Sequence, residues 1–490
     1  MTTMLDRPNV VLVVLDTARA KDAVPADPAV TPTLASLAAE GAEYRQAFTS
    51  APWTLPAHAG LFTGAFSSKH GAHGGHTYLD EGSPTLAEAF RDDGYETVGV
   101  SNNTWITAEF GFDRGFETFR KGWQYLQSGT DVGRVVREKD PRRKARVALE
   151  TIARGNPLTT AANVLYTEVL DPSGDDGAAR TTDWIDGWLD SRDDDRPFFL
   201  FANYLEPHVT YAPPREHAEA HLPAGATYDE ARAIRQAPRA YDVGEYDPTD
   251  HEFELLRALY RGELSYVDEH VGRLVDAFEA AGEWENTLLV VVGDHGENVG
   301  EHGFFGHQYN VYDTLLHVPL VIHGPGFDGM GTIGGPVQLP DIAPTLLDAA
   351  GVEAKRHRRA FQGESFHPYA DGPDRDLVIA EYLSPQPTPE ALEDRFGSIP
   401  DEVWSYDRSL RTIRTDGYKL IRGSDGTCEL YNVDADPGET IDLADERPDL
   451  AHELDARLDD WLDSFEHADR SGEVQMTTST EQQLADLGYM

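Results

Sequence analysis

The chain has 490 residues, 40% of them hydrophobic and 10% aromatic, enough to bury a sizeable core and to exclude a wholly disordered chain. Its 86 acidic residues against 41 basic give a formal net charge of −45. The acids recur along the whole length, which argues against nucleic-acid binding through a basic face and against bulk attraction to anionic lipid. Only 7 of the basic residues are Lys. A field this negative repels itself at low ionic strength and is screened in molar salt, where the Debye length falls to ~3 Å. The composition therefore points to the cytoplasm of a salt-accumulating halophile. A single cysteine, Cys428, excludes an intramolecular disulfide and a Cys-rich metal site. The first residues, MTTMLDRPNV, lack the pattern of a signal peptide, and no run approaches the ~18 apolar residues that span a bilayer.

Asn9–Leu15 (NVVLVVL) is a continuous apolar run ending at Asp16, the pattern of a strand buried on both faces of a parallel sheet. Glu96–Val100, Pro197–Leu205 and Thr287–Val292 are similar, and Pro319–His323 is a weaker candidate. Between them lie helical patterns, the longest over Glu252–Gly282 with apolar positions mostly three to five apart. Strands alternating with helices predict a large, mostly parallel α/β sheet sandwiched by helices. Its ligand site belongs beyond the carboxyl ends of the strands. Residues 126–175 carry a local basic cluster and read as a helical insertion, and Pro213–Asp247 reads as a long excursion. Later the grammar changes. Ser409–Arg422 alternates around Asp416-Gly417, a hairpin signal. Cys428–Val433 adds a candidate strand, and Pro448–Phe465 places Leu450, Leu454, Leu458, Trp461 and Phe465 on one helical face. The expected organisation is a catalytic domain over 1–370, a small α+β domain over 371–470 and a polar tail over 471–490.

Asp16 ends the first strand, and Gly293-Asp294-His295-Gly296-Glu297 ends a later one. Carboxylates and an imidazole at one sheet edge suit a divalent cation, although Asp16 alone also reads as a helix cap. Thr54, in APWTLPAHAGLFTG, stands just before an expected helix N-terminus, where backbone N–H groups favour an anion. Taken alone it also reads as an N-cap. Glu206-Pro207-His208 follows the third strand, and His302, His307 and His317 follow the Asp-His pair.

Several segments come in one family's order. They are PNVVLVVLDTAR; Thr54–Gly64; GFDRGFETF; NYLEPH; LSYVDEHVGRL; GDHGENVGEHG; VQLPDIAPTLLDAAG; and IRTDGYKLIR followed by ELYNVDADPGE. Together, over about Pro8 to Tyr489, they resemble the sulfatase family of the alkaline phosphatase superfamily. The resemblance implies a large mixed, mostly parallel, alkaline phosphatase-like sheet and one divalent metal (Ca²⁺, Mn²⁺ or Mg²⁺, with Zn²⁺ also compatible) on Asp16, Asp294, His295 and Thr54. It implies ester contacts from His208, His307, Asn103 and His302. The Asp-His pair resembles the family's phosphonate and phosphate ester hydrolases.

The departures carry as much information. The family's nucleophile is Cys or Ser oxidised to formylglycine. Here it is Thr54, whose oxidation would give a ketone, so formylglycine is excluded. His58 replaces the signature's Arg and is expected among the catalytic residues with Thr54, His208 and His307; Thr17 stands where many members have a second Asp, and Asn102-Asn103-Thr104 replaces a Lys-x-His. The expectation is hydrolysis of a small anionic ester through a covalent Thr54 intermediate, with His208 or His307 protonating the leaving group. Phosphoesters are favoured because a second in-line displacement clears a phosphoryl group more readily than a sulfo group. Sulfate hydrolysis, transfer to an alcohol, an inactive binding protein and a two-metal enzyme using Glu206, His302 and His307 are the alternatives.

Overall fold

In the computed structural model, residues 7–122 and 177–468 are described, apart from 25, 371, 373, 374 and 416. The expected insertion at 126–175 and the tail at 471–490 lie outside them.

Eight strands form the main sheet: β1 (Asn9–Leu15), β2 (Ala42–Phe48), β3 (Glu96–Ser101), β4 (Thr118–Lys121), β5 (Phe198–Tyr204), β6 (Thr287–Gly293), β9 (Leu320–His323) and β10 (Gly331–Gln338). A separate pair, β7 (Asn298–Val299) and β8 (Phe305–Gly306), closes the loop after β6. The main order is β10-β2-β9-β6-β1-β5-β3-β4. Only β9 runs antiparallel to its neighbours, so the sheet is mixed and mostly parallel, as expected.

The four strongest apolar runs became the central strands β1, β3, β5 and β6. β1 is fully buried and sits between β5 and β6. Val10, Leu12 and Val14 face one core, with α2 (Thr54–Thr63), α3 (Leu86–Asp92) and α6 (Leu339–Ala349). Val11, Val13 and Leu15 face the other, with α1 (Pro32–Glu40), α4 (Ala178–Ser191) and α5 (Asp250–Ala281). This period-2 division makes the helix–sheet–helix sandwich. α5 starts at a Thr249/Glu252 capping box and stops at Gly282, whose φ is +75°, a left-handed cap that glycine tolerates. The 213–247 excursion contains three short helices, among them Pro238–Asp242.

The small sheet is antiparallel, in the order β11 (Val378–Tyr382), β12 (Leu410–Thr415), β13 (Tyr418–Gly423) and β14 (Cys428–Asn432). One face packs Ile379, Ile413, Leu420 and Leu430 against Ala451, Leu454 and Leu458 of α7 (Pro448–Asp463). The other puts Ala380, Tyr382, Leu410 and Ile421 into the main core.

Candidate active site at the carboxyl edge of the sheet

Register explains how the two acids meet. Leu15 pairs with Gly293 across the parallel β1–β6 ladder, so the next residues, Asp16 and Asp294, leave the sheet side by side. The Thr17 backbone N–H then donates to Asp294 Oδ1 at 3.0 Å. Thr17 holds a φ of +62° to do so, an uncommon conformation for a β-branched residue. His295 donates from Nδ1 to the Gly296 carbonyl at 2.9 Å. That bond leaves Nε2 as the lone-pair nitrogen. Nε2 lies 3.4 Å from Asp294 Oδ2 and 3.9 Å from Asp16 Oδ1.

Asp16, Asp294 and His295 offer ligand atoms within 4.8 Å of one another, and all three are buried. Asp16 Oδ1 and Asp294 Oδ2 have no hydrogen-bond partner. Burial, and then the Asp294 charge, push the Asp16 carboxyl well above the usual carboxylate range, against a lowering hydrogen bond from Asn103. Buried carboxylate oxygens without partners are costly unless a cation satisfies them. The residues present therefore fit a divalent ion.

Thr54 is the first residue of α2, and Trp53 takes the N-cap position; the capping reading of Thr54 is thereby corrected. α2 is buried throughout, which fixes Thr54 at the sheet edge. Its Oγ1 is 3.2 Å from His295 Nε2 and 3.4 Å from Asn103 Nδ2. His58, one turn further on, donates from Nδ1 to the Thr54 carbonyl at 2.9 Å and lies 3.4 Å from Asp294 Oδ2. Burial lowers the proton affinity of His58, with Asp294 opposing. Asn103, expected at the substrate, donates to Asp16 Oδ2 at 2.6 Å; it ties Asp16 to the Thr54 hydroxyl.

His307 and His208 form a second tier. Their rings are 5.2 Å apart, and the His307 ring is 4.7 Å from that of His295. His208 donates from Nδ1 to the Val209 carbonyl. Burial above all, then His307, pushes its pKa down to about 4. His307 is also held well below the usual histidine range, by burial and then by His295 and Arg239. Glu297 was given no role from sequence. Its Oε1 accepts from His307 Nδ1 at 2.8 Å and its Oε2 from the Val209 N–H at 3.3 Å, so it orients both histidine segments. Burial raises its pKa, opposed first by His208. Arg19 was also missed. It is buried, donates to the Glu297 carbonyl at 2.9 Å and pairs with Asp22 and Glu301. A signal was available for each: Glu297 closes the GDHGE run, and Arg19 sits three residues after Asp16.

The structure does not bring His302 to this cluster. Its ring stacks on Tyr312 at 3.8 Å, and none of its described contacts is to Asp16, Thr54 or His295. Nor do Glu206, His302 and His307 gather as a second metal set: Glu206 accepts from the Ala178 N–H, and His307 bonds Glu297. Among the described residues, Asp16, Asp294 and His295 are the one group of three with metal-holding geometry.

The sulfatase family profile matches residues 8–352. The chain belongs to the sulfatase family. A choline-sulfatase of Rhizobium meliloti (strain 1021) is 25% identical over 97% of this chain and 90% of its own. Among solved structures, the phosphonate monoester hydrolase of Agrobacterium radiobacter superposes with a TM-score of 0.64 at 22% identity, over 93% of this chain and 95% of that one. A 2-O GAG sulfatase gives 0.63 at 18% identity, over 94% and 95%. These likenesses establish the alkaline phosphatase-like fold, and family membership makes the protein a sulfatase-family ester hydrolase.

Proposed function

We propose that this sulfatase-family enzyme hydrolyses phosphate mono- or diesters or phosphonate esters through a covalent intermediate on unmodified Thr54. The observation that carries the reading is the placement of Thr54 Oγ1, buried and 3.2 Å from His295 Nε2, where an oxidised cysteine or serine would stand in the family. Asp16, Asp294 and His295 would hold one divalent ion, Ca²⁺, Mn²⁺, Mg²⁺ or Zn²⁺. Such an ion would lower the pKa of the nearby hydroxyl and draw charge from a non-bridging oxygen.

Thr54 Oγ1 bonds to phosphorus as the leaving oxygen departs in line. The proton that Thr54 loses ends on the leaving oxygen. His307, with Glu297 behind its Nδ1, and His208 are the groups that carry it. Both are neutral at rest, and Glu297 stabilises the imidazolium that forms transiently. Asn103 keeps the hydroxyl and Asp16 in register. Water, or an acceptor alcohol, then attacks phosphorus, the Thr54 Oγ1–P bond breaks, and the attacking group's proton passes through the same histidines to Thr54 Oγ1. The likeness to a choline-sulfatase favours a second reading, sulfate-ester hydrolysis at the same site.

No helix among the described residues is long and apolar enough to cross a membrane. The net charge of −45 supports a salt-rich cytoplasm as the place of action.

Mass spectrometry of the peptide carrying Thr54 tests the proposal. The resting enzyme should show plain Thr, and enzyme quenched in turnover a phosphoryl adduct there. Thr54→Ala should lose at least about 10³-fold in kcat, because groups acting through one covalent step fail together; Thr54→Ser should keep part of the activity. Near-normal turnover by the Ala variant would defeat the nucleophile assignment. Aryl phosphate, phosphodiester, phosphonate and sulfate, compared in molar KCl, decide between the two ester readings.

A further inference from the structure

The segment from Tyr312 to Pro319 lies directly behind both loops that carry the acidic ligands. The Gly296 N–H donates to the Leu315 carbonyl at 2.8 Å, the Gly293 N–H to the Pro319 carbonyl at 3.1 Å and the Ala20 N–H to the His317 carbonyl at 3.0 Å. Thr314 Oγ1 donates to Asn298 Oδ1 at 2.6 Å. The approach is close enough that a Cβ on Gly296 would lie 2.0 Å from the Thr314 carbonyl oxygen.

The far side of this segment is gripped by the small sheet. Arg414 and Lys419 are cross-strand partners in the β12–β13 hairpin, so both cations project from one face. Both reach Asp313: Lys419 Nζ donates to Oδ1 at 2.8 Å, and Arg414 Nη1 donates to Oδ2. Glu439 closes the ring. Its Oε2 accepts from the Asp313 backbone N–H at 2.6 Å, and its Oε1 is 2.7 Å from Lys419 Nζ. Glu439 holds a φ of +51°, in the region that non-glycine residues avoid. Tyr312 adds a second tie by donating to Glu429 Oε2 at 3.1 Å.

The side chains of Lys419 and Glu439 are each only 1% exposed. A buried ion pair is a poor source of net stability compared with apolar packing, and its best-attested use is to fix one arrangement. Two cations and two carboxylates converging on one short segment define its position against the ligand loops.

We propose that Arg414, Lys419 and Glu439 are positioning residues for the metal site, acting through Asp313 on the loops that carry Asp16, Asp294 and His295. The inference rests on the reading of those three as metal ligands.

The test is titration of Mn²⁺ into metal-stripped full-length protein, with folding followed by circular dichroism. The double variant Lys419→Met/Glu439→Gln removes one buried charge of each sign and leaves Asp313 paired with Arg414. Its Mn²⁺ affinity should fall about 10- to 100-fold, the range seen when outer-shell partners of metal ligands are lost, while the native spectrum persists. Wild-type affinity with only a lower melting temperature would overturn the inference. Should the variant fail to fold, hydrogen exchange on the wild type decides. Added Mn²⁺ should slow exchange at Gly296 and Asp313 together, and slowing at Gly296 alone would overturn it. Asp294→Asn separates the two readings. Wild-type Mn²⁺ binding by that variant would defeat the ligand assignment, and this inference with it. Lost binding there beside intact binding in the double variant would defeat the positioning role alone.

Discussion

Asn103 Nδ2 lies 2.6 Å from Asp16 Oδ2 and occupies that oxygen, while Oδ1 is left without a partner. One amide thus decides which face of the carboxylate is available to a cation. Asn103→Ala should weaken metal affinity about 10- to 100-fold. Asn103→Asp should do more damage, because it sets a second carboxylate against Asp16. Calorimetric titration of the stripped protein would rank the three; equal affinities would show that Asp16 keeps its orientation without help.

Glu297 should matter in proportion to how badly the leaving group needs a proton. Its bond to His307 Nδ1 fixes the ring and favours the imidazolium. Glu297→Gln should cost about 10²-fold in kcat on esters of weakly acidic alcohols and little on nitrophenyl esters. Metal content should be unchanged. An equal loss on both substrate types would point to a fault in folding or metal binding.

Asp268 predicts a pH effect on stability. From α5 it accepts from the backbone N–H groups of Thr33 and Leu34 at 2.8 and 2.9 Å, capping α1 from outside. Burial nevertheless pushes its pKa up to about 6, against those two hydrogen bonds. The folded state therefore binds the proton more tightly than the unfolded one. The contribution is complete below about pH 4 and is lost as pH rises through about 6, at most about 3 kcal/mol at 1.36 kcal/mol per pKa unit. Denaturant unfolding of the wild type and Asp268→Asn at pH 4.5 and 7 should show the slope weakened in the variant. Parallel curves would contradict the assignment.

Salt should stabilise the fold. Lowering KCl from molar to about 0.1 M lengthens the screening distance from ~3 to ~10 Å and exposes the −45 charge to its own repulsion. The melting temperature should fall; no change over that range would remove the halophile reading.

The central strands were legible because burial on both faces writes an uninterrupted apolar run. β2 and β10 escaped for the opposite reason. β2 keeps Arg45 and Gln46 exposed, and β10 is an edge strand with Gly334, Gly335 and Pro336 at an irregular register, where an edge tolerates proline. The antiparallel direction of β9 leaves no mark in PLVIH. Asp16, Asp294 and His295 could be singled out because they end strands. The partners of Asn103 and Glu297 could not be read there, since a hydrogen bond to Asp16 or His307 is set by the tertiary fold and not by local sequence.

The grip of the small sheet on Asp313 also has a consequence in time. A ribosome releases the residues from Asp16 to His295 first and those from Arg414 to Glu439 much later. The nascent chain therefore carries Asp16 and Asp294 through a long stretch of elongation before Lys419 and Glu439 exist to brace the segment behind them. An interrupted chain ending before β12 would hold the acids and the hydroxyl of Thr54 yet lack that brace, so half-made protein would be poorly equipped to capture a cation there.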